Sequence, residues 1–391
     1  MNHAADADAI PTRTRLGGLD GLRGLAALAV FGVHYNQIVD VDVQLGHFDL
    51  HRLLDNGEYG VALFFILSGL LLSQPFWKSI LCGANWPDTR AYVVHRLARI
   101  LPAYYLALTV LILLAGYWRF EHAWTDILLH YSFLFNYAEF SIFSINAPFW
   151  TLAVEVQFYV LLPFLFLLLR RLSLRKIVTV LVLLSLAAYG LNYWLVSSVD
   201  KMILWPGSPL LTWIRPYGAV VTHSLLAHLP HFFIGVICGA LLLQITTTRS
   251  QLPGKGDWRY EIVFWLSFML IFLLLATKLG DWVQVPYGRY GLPLVPLLLG
   301  AMILSTHFTV GARKILDSAP MHMLGQLSYG IYIFHLPVLR FVDRTMAEAA
   351  TDAREHWVSL GVISLLLTLL VAAISYFLVE RPVLRLAHHP R

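Results

Sequence analysis

The sequence predicts an all-α, polytopic integral membrane protein with about ten transmembrane helices and both termini in the cytosol. Three observations carry that prediction. Of 391 residues, 58% are hydrophobic and 13% are charged, against about 25% charged in an ordinary soluble domain. No soluble core buries so much apolar surface while leaving so few charges to cover its outside, so a bilayer must serve as its solvent. Apolar runs of spanning length occupy nearly the whole chain, and a separate soluble catalytic domain is not expected. The cations, finally, alternate between loops as they do in an oriented bundle.

A spanning helix needs about 20 mostly apolar residues. In chain order the runs are 18–38, containing LDGLRGLAALAVFGVH; 58–77, containing GVALFFILSGLLLS; and 100–118, entered through HRLARILPAY. They continue with 148–169, containing FWTLAVEVQFY; 177–196; 229–246; 261–279; 291–310; 323–342, containing LSYGIYIFHLPV; and 357–379. Residues 124–143 are also fairly apolar but rich in Tyr, Asn, Ser and His, and are expected to be re-entrant or interfacial rather than an eleventh span. The division is therefore a cytosolic arm at 1–17, a membrane domain at 18–379 and a basic cytosolic tail at 380–391. The polar, acidic start through Ala9 shows no cleavable signal pattern. The loops richest in Pro and Gly, 205–218 and 280–296, fall outside and suit a partial lid.

With the N-terminus inside, 18 of the 28 lysines and arginines lie in short cytosolic loops and nine outside, with Arg23 within a span. That is the expected cation excess. The formal charge of +5 thus reflects orientation, and no nucleic-acid partner is expected. Cys82 and Cys238 fall in a cytosolic loop and a span, so neither a disulfide nor a zinc site is expected from them.

Ionisable groups inside a span are costly and face a cavity or a partner. In the first span Arg23 and His34 are 11 residues apart. That is about three turns, so they share one stripe roughly 16 Å apart along the axis. Asp20, three residues before Arg23, is placed to pair with it. Glu155 in the fourth span and His335 in the ninth, with Tyr329 and Tyr332 on the turns below it, are expected at the depth of His34, forming one water-accessible site. Arg96 and Arg99 fall on adjacent turns of one helix face, and two guanidiniums so placed match phosphate oxygens. His47 and His51 have the spacing of a metal pair but read more simply as surface residues. His223, His228 and His231 read as interfacial, and no convincing metal site is expected.

Taken together these motifs resemble the acyltransferase family 3 membrane proteins. The marks are Arg23-x10-His34 in LDGLRGLAALAVFGVH, then GVALFFILSGLLLS, RLARILPAY, FWTLAVEVQFY and LSYGIYIFH, in that order, covering Leu19 to about Pro382. The resemblance implies an acyl-CoA-dependent O-acyltransferase in a bacterial inner membrane, moving an acyl group, acetyl first, from cytosolic acyl-CoA to a hydroxyl on a glycan, glycolipid or related glycosylated product. It implies no bound cofactor. It makes His34 the catalytic histidine and Arg23 its motif partner, sets Arg96 and Arg99 against the CoA phosphates, and includes Glu155 in the catalytic set. Asp20, Trp150, Tyr329 and His335 are the expected supporting or acceptor-pocket residues. Val156 stands where many members carry a second acidic residue, which weakens any mechanism needing a carboxylate pair there. Some relatives also carry a fused extracellular hydrolase-like domain that receives the acyl group, and none is expected here.

The chemistry suits these residues, since neutral imidazole can take the proton of a poorly nucleophilic sugar hydroxyl as it attacks a thioester. A covalent acyl-histidine relay is the competing route. Two other classes remain: a polytopic transporter or flippase, which predicts broken helices in matching halves, and a lipid-linked glycosyltransferase, for which the acidic outer loop from Asp40 to Glu58 gives modest support.

Overall fold

A computed structural model describes residues 16–200, 218–248, 257–283, 293–349 and 357–388. Helices occupy all ten predicted segments: α1 Leu19–Val39, α2 Tyr59–Cys82, α3 Thr89–Ala115, α4 Trp150–Leu169, α5 Leu174–Asp200, α6 Leu225–Thr248, α7 Trp258–Ala276, α8 Leu294–Thr306, α9 Ala319–Ala349 and α10 Trp357–Ser375. Their ends carry local signals. Asp88 and Asp257 cap α3 and α7 by accepting from the Arg90 and Arg259 amides, and Gly83 and Gly116 close α2 and α3 at φ 69° and 57°. Among the described residues the only sheet is a two-stranded ribbon pairing Gln44–Leu45 with Phe48–Asp49. The arm before Leu16 and most of both expected lid loops lie outside the described residues.

Among the described residues, seven stretches are long and apolar enough to cross a bilayer: Leu50–Cys82, Thr89–Ala115, Ala147–Leu169, Leu174–Val196, Gly218–Thr248, Trp258–Ala276 and Trp357–Ala387. Helices α1, α8 and α9 fall outside that set. α8 has 13 residues, while α1 and α9 carry charged and imidazole groups at intervals along their length. Arg23, His34 and His335 among them belong to the site described below.

Lipid supplies no hydrophobic drive between helices, so close backbone approach and interlocking rings hold the bundle. α2 packs along α6, α1 along α9, and α9 against α10. At the α2–α6 crossing Gly69 lies against the Phe232 carbonyl and Gly235 against that of Ile66, leaving no room for a methyl group. Around it Phe158 stacks on Phe232 with centroids 3.9 Å apart, and Phe76 on Phe166 at 4.9 Å. α1 and α9 run side by side in the same direction, Gly24 resting on Leu324 and Gly325.

The stretch 124–143 folds as the nine-residue helix Ala123–Tyr131 followed by turns. At about 14 Å the helix is too short to cross. The Tyr104 and Tyr105 hydroxyls of α3 clasp it by donating to the His130 and Tyr131 carbonyls, each at 2.9 Å. Its buried Asp126 is bonded by Tyr117 at 2.5 Å, His130 at 3.1 Å and Ser141. Burial alone would raise this carboxyl, but hydrogen bonds from His130, Ser141, Ser144 and Tyr117 outweigh it and hold the group below the usual carboxylate range.

Candidate active site

The α1–α9 pair sets the site. Its small residues bring the two backbones together so that Gly24 meets Gly325 and, ten residues on, His34 meets His335. Arg23 and His34 both stand on α1, but they open onto different surroundings.

Arg23 lines a cavity of about 720 Å³, open mouth included, between α1, α2, α3, α4 and α9. Arg96, Arg99 and Glu155 line it as well, with Ser68, Thr151, Tyr159, Ser328, Tyr329 and Tyr332. Three guanidiniums thus face one carboxylate. Oε1 of Glu155 accepts from the Ser68 hydroxyl and the Tyr159 phenol, both at 2.7 Å. The Nε atoms of Arg23 and Arg96 are buried with no acceptor among the described residues. Buried donors of that kind call for an anion, because an unpaired N–H out of water is costly. Arg96 rests over the Tyr92 ring, and the Tyr329 hydroxyl donates to the Ile100 carbonyl at 2.7 Å, tying α9 to the arginine-bearing helix α3.

His34 and His335 do not line this cavity; they form a pair beyond it. His335 is fully buried and His34 partly so. The rings meet edge to face, centroids 4.9 Å apart, with His335 Nε2 3.1 Å from His34 Nδ1. Nδ1 of His335 faces the Ile331 and Tyr332 carbonyls at 3.1 and 2.8 Å, so it carries the proton and its Nε2 accepts. Nδ1 of His34 then faces two acceptors, His335 Nε2 and the Val30 carbonyl at 3.0 Å, so it too carries a proton. That network leaves the basic lone pair of His34 on Nε2.

The structure regroups several sequence expectations. Glu155 joins the arginines rather than the histidine pair. Asp20 meets His322 of α9 at 3.1 Å rather than Arg23. Trp150 packs away from the cavity, against His223 and His228 at 4.6 and 5.0 Å, and those two histidines are buried within the protein. His51 is engaged by Asp40 and Asp55, and among the described residues no group of three His, Cys, Asp or Glu could hold a metal ion.

Two residues escaped the sequence reading. Ser68 lay inside the quoted GVALFFILSGLLLS run, where its role as a partner of Glu155 has no local signal. Glu380, at the edge of the tail, is 4% exposed on a π-turn spanning Tyr376–Glu380, accepts from Ser375 at 3.0 Å, and faces Arg99 electrostatically. A lone acid ending an apolar run was the available clue.

Fold and site together define a polytopic membrane protein with an arginine-lined chamber inside its helical bundle. Residues 16–377 match the family described as an acyltransferase domain, and the chain belongs to acyltransferase family 3. It is 24% identical over 395 residues to the peptidoglycan O-acetyltransferase OatA of Listeria monocytogenes, covering 95% of this chain and 56% of that one. It is 28% identical over 403 residues to the acyltransferase MdmB of Streptomyces mycarofaciens, covering 96% and 93%. The chain spans about half the length of several curated relatives that it matches. No solved structure matches it.

Proposed function

We propose that this chain is an O-acyltransferase of the bacterial inner membrane that takes an acyl group, acetyl first, from cytosolic acyl-CoA and places it on a hydroxyl of a cell-surface polysaccharide, glycolipid or related glycosylated product. The observation that carries the proposal is the placing of the His34–His335 pair directly beyond a chamber that gathers Arg23, Arg96 and Arg99. The naming of relatives for peptidoglycan O-acetylation supports a glycan acceptor.

Arg96 and Arg99 hold the phosphates of the donor, and Arg23 adds a third cation to the chamber. The pantetheine arm lies along the apolar wall and brings the thioester toward His34. His34 Nε2 takes the proton of the acceptor hydroxyl as its oxygen attacks the thioester carbonyl carbon. The tetrahedral intermediate collapses with cleavage of the carbon–sulfur bond, and the imidazolium returns its proton to the leaving CoA sulfur. His335 Nε2 accepts from His34 Nδ1–H throughout and steadies the positive ring. Glu155, held by Ser68 and Tyr159, balances the arginines once the donor has left.

Inverted membrane vesicles carrying the full chain and supplied with labelled acetyl-CoA test this. His34→Ala is expected to insert normally and lose transfer by about 10²- to 10⁴-fold, the usual worth of a positioned base. Arg96→Ala and Arg99→Ala are expected to raise the KM for the donor. Near-normal transfer by inserted His34→Ala would remove the histidine from the mechanism, and an unmoved donor KM would remove the arginines.

A further inference from the structure

The arginines of the chamber are joined by an apolar wall. Along α2 its wall runs from Leu72 through Ser68 to Phe64 and Val61, and along α9 from Ser328 to Tyr332. The next turn of α9 carries His335. What stands between the chamber and the histidine pair is a roof of two rings, Phe64 edge-on to Tyr332, with centroids 5.8 Å apart at 81°. Tyr332 in turn lies 5.9 Å from the ring of His335.

The two halves of the roof are held differently. The Tyr332 hydroxyl donates to the Pro148 carbonyl at 2.9 Å and accepts from Thr151 at 2.7 Å, and the residue is 6% exposed. It is pinned. Phe64 has no polar atom to anchor it and is only half-buried, so a thioester rising from the arginines passes by displacing Phe64 alone.

We propose that the Phe64–Tyr332 roof selects the acyl group by size, admitting acetyl and excluding longer chains. This rests on the reading of the chamber as the acyl-CoA site. The thioester must pass this roof to bring its carbonyl within reach of His34 Nε2, so its alkyl chain crosses the space in which the Phe64 ring turns. Each added methylene then competes with that ring for space in a packed interior. Replacing the ring by a methyl group opens a volume continuous with the apolar wall of Val61, Phe65 and Leu152, into which a longer chain fits.

The test uses membranes from cells making the full chain, given acetyl-CoA or butyryl-CoA, with released CoA thiol as the readout. The result is taken as the butyryl-to-acetyl ratio, so differences in expression cancel. The wild type is expected to prefer acetyl by about tenfold or more, Phe64→Ala to raise the ratio by about tenfold, and the gentler Phe64→Leu to raise it less. A wild type using both donors equally, or a ratio within about twofold of wild type in both variants, would overturn the proposal. So would loss of both donors in variants that still assemble, since the ring would then serve every donor alike. His34→Ala is placed in the Phe64→Ala background as a separate arm. CoA release that survives there overturns the donor-site reading, whereas His34-dependent release with an unmoved ratio overturns the roof alone.

Discussion

Replacing His335 by Phe isolates one hydrogen bond. The Nδ1–H of His34 has two acceptors, the Val30 carbonyl at 3.0 Å and His335 Nε2 at 3.1 Å. A phenyl ring keeps a planar group edge to face with His34 but removes the second acceptor. Before reaction Val30 still accepts, so the resting ring keeps its tautomer and little is lost. In the transition state His34 becomes an imidazolium, and the missing bond is one to a charged donor, worth about 1.5–3 kcal/mol. At 1.4 kcal/mol per decade, kcat is expected to fall about tenfold to about a hundredfold. The donor KM should stay within about twofold, because it is set in a chamber that His335 does not line. The assay is acetyl transfer from acetyl-CoA by membranes carrying each variant, with assembly checked by gel filtration in detergent. A kcat within about threefold of wild type in assembled protein would refute the reasoning, and a rise in KM without loss of kcat would place His335 with the donor instead.

Other outcomes follow from the packing. Gly235→Ala puts a methyl group against the Ile66 carbonyl at the closest crossing of α2 and α6; the helices must part, at a cost of about 1–3 kcal/mol, read as a lower thermal midpoint in detergent. An unchanged midpoint would refute that close approach. The Asp126 carboxylate, held below its usual range, contributes stability that is complete above about pH 4 and is lost as pH falls through its lowered folded pKa. The midpoint of the wild type should therefore decline on acidification through that range while Asp126→Asn, already weakened at neutral pH, declines less. Parallel curves for the two proteins would show that the carboxylate does not carry this dependence.

The membrane class and the placing of ten helices were legible in the linear sequence. The reason is physical: lipid tolerates long apolar runs, penalises ionisable groups, and leaves few positions where such groups can occur. Helical periodicity then decides which of them align within one helix. It says nothing of offsets between helices. Gly24 and Gly325 set α1 against α9 so that His34 reaches His335, and Asp20 finds His322 from the same crossing. The Tyr332 hydroxyl ties the Pro148 carbonyl and Thr151 to α9, which leaves Glu155, one turn further along α4, among the arginines rather than the histidines. Chain order established which residues were costly to bury; only the tertiary packing decided which of them share a chamber, because side-chain partnership across helices depends on how closely two backbones approach and at what register.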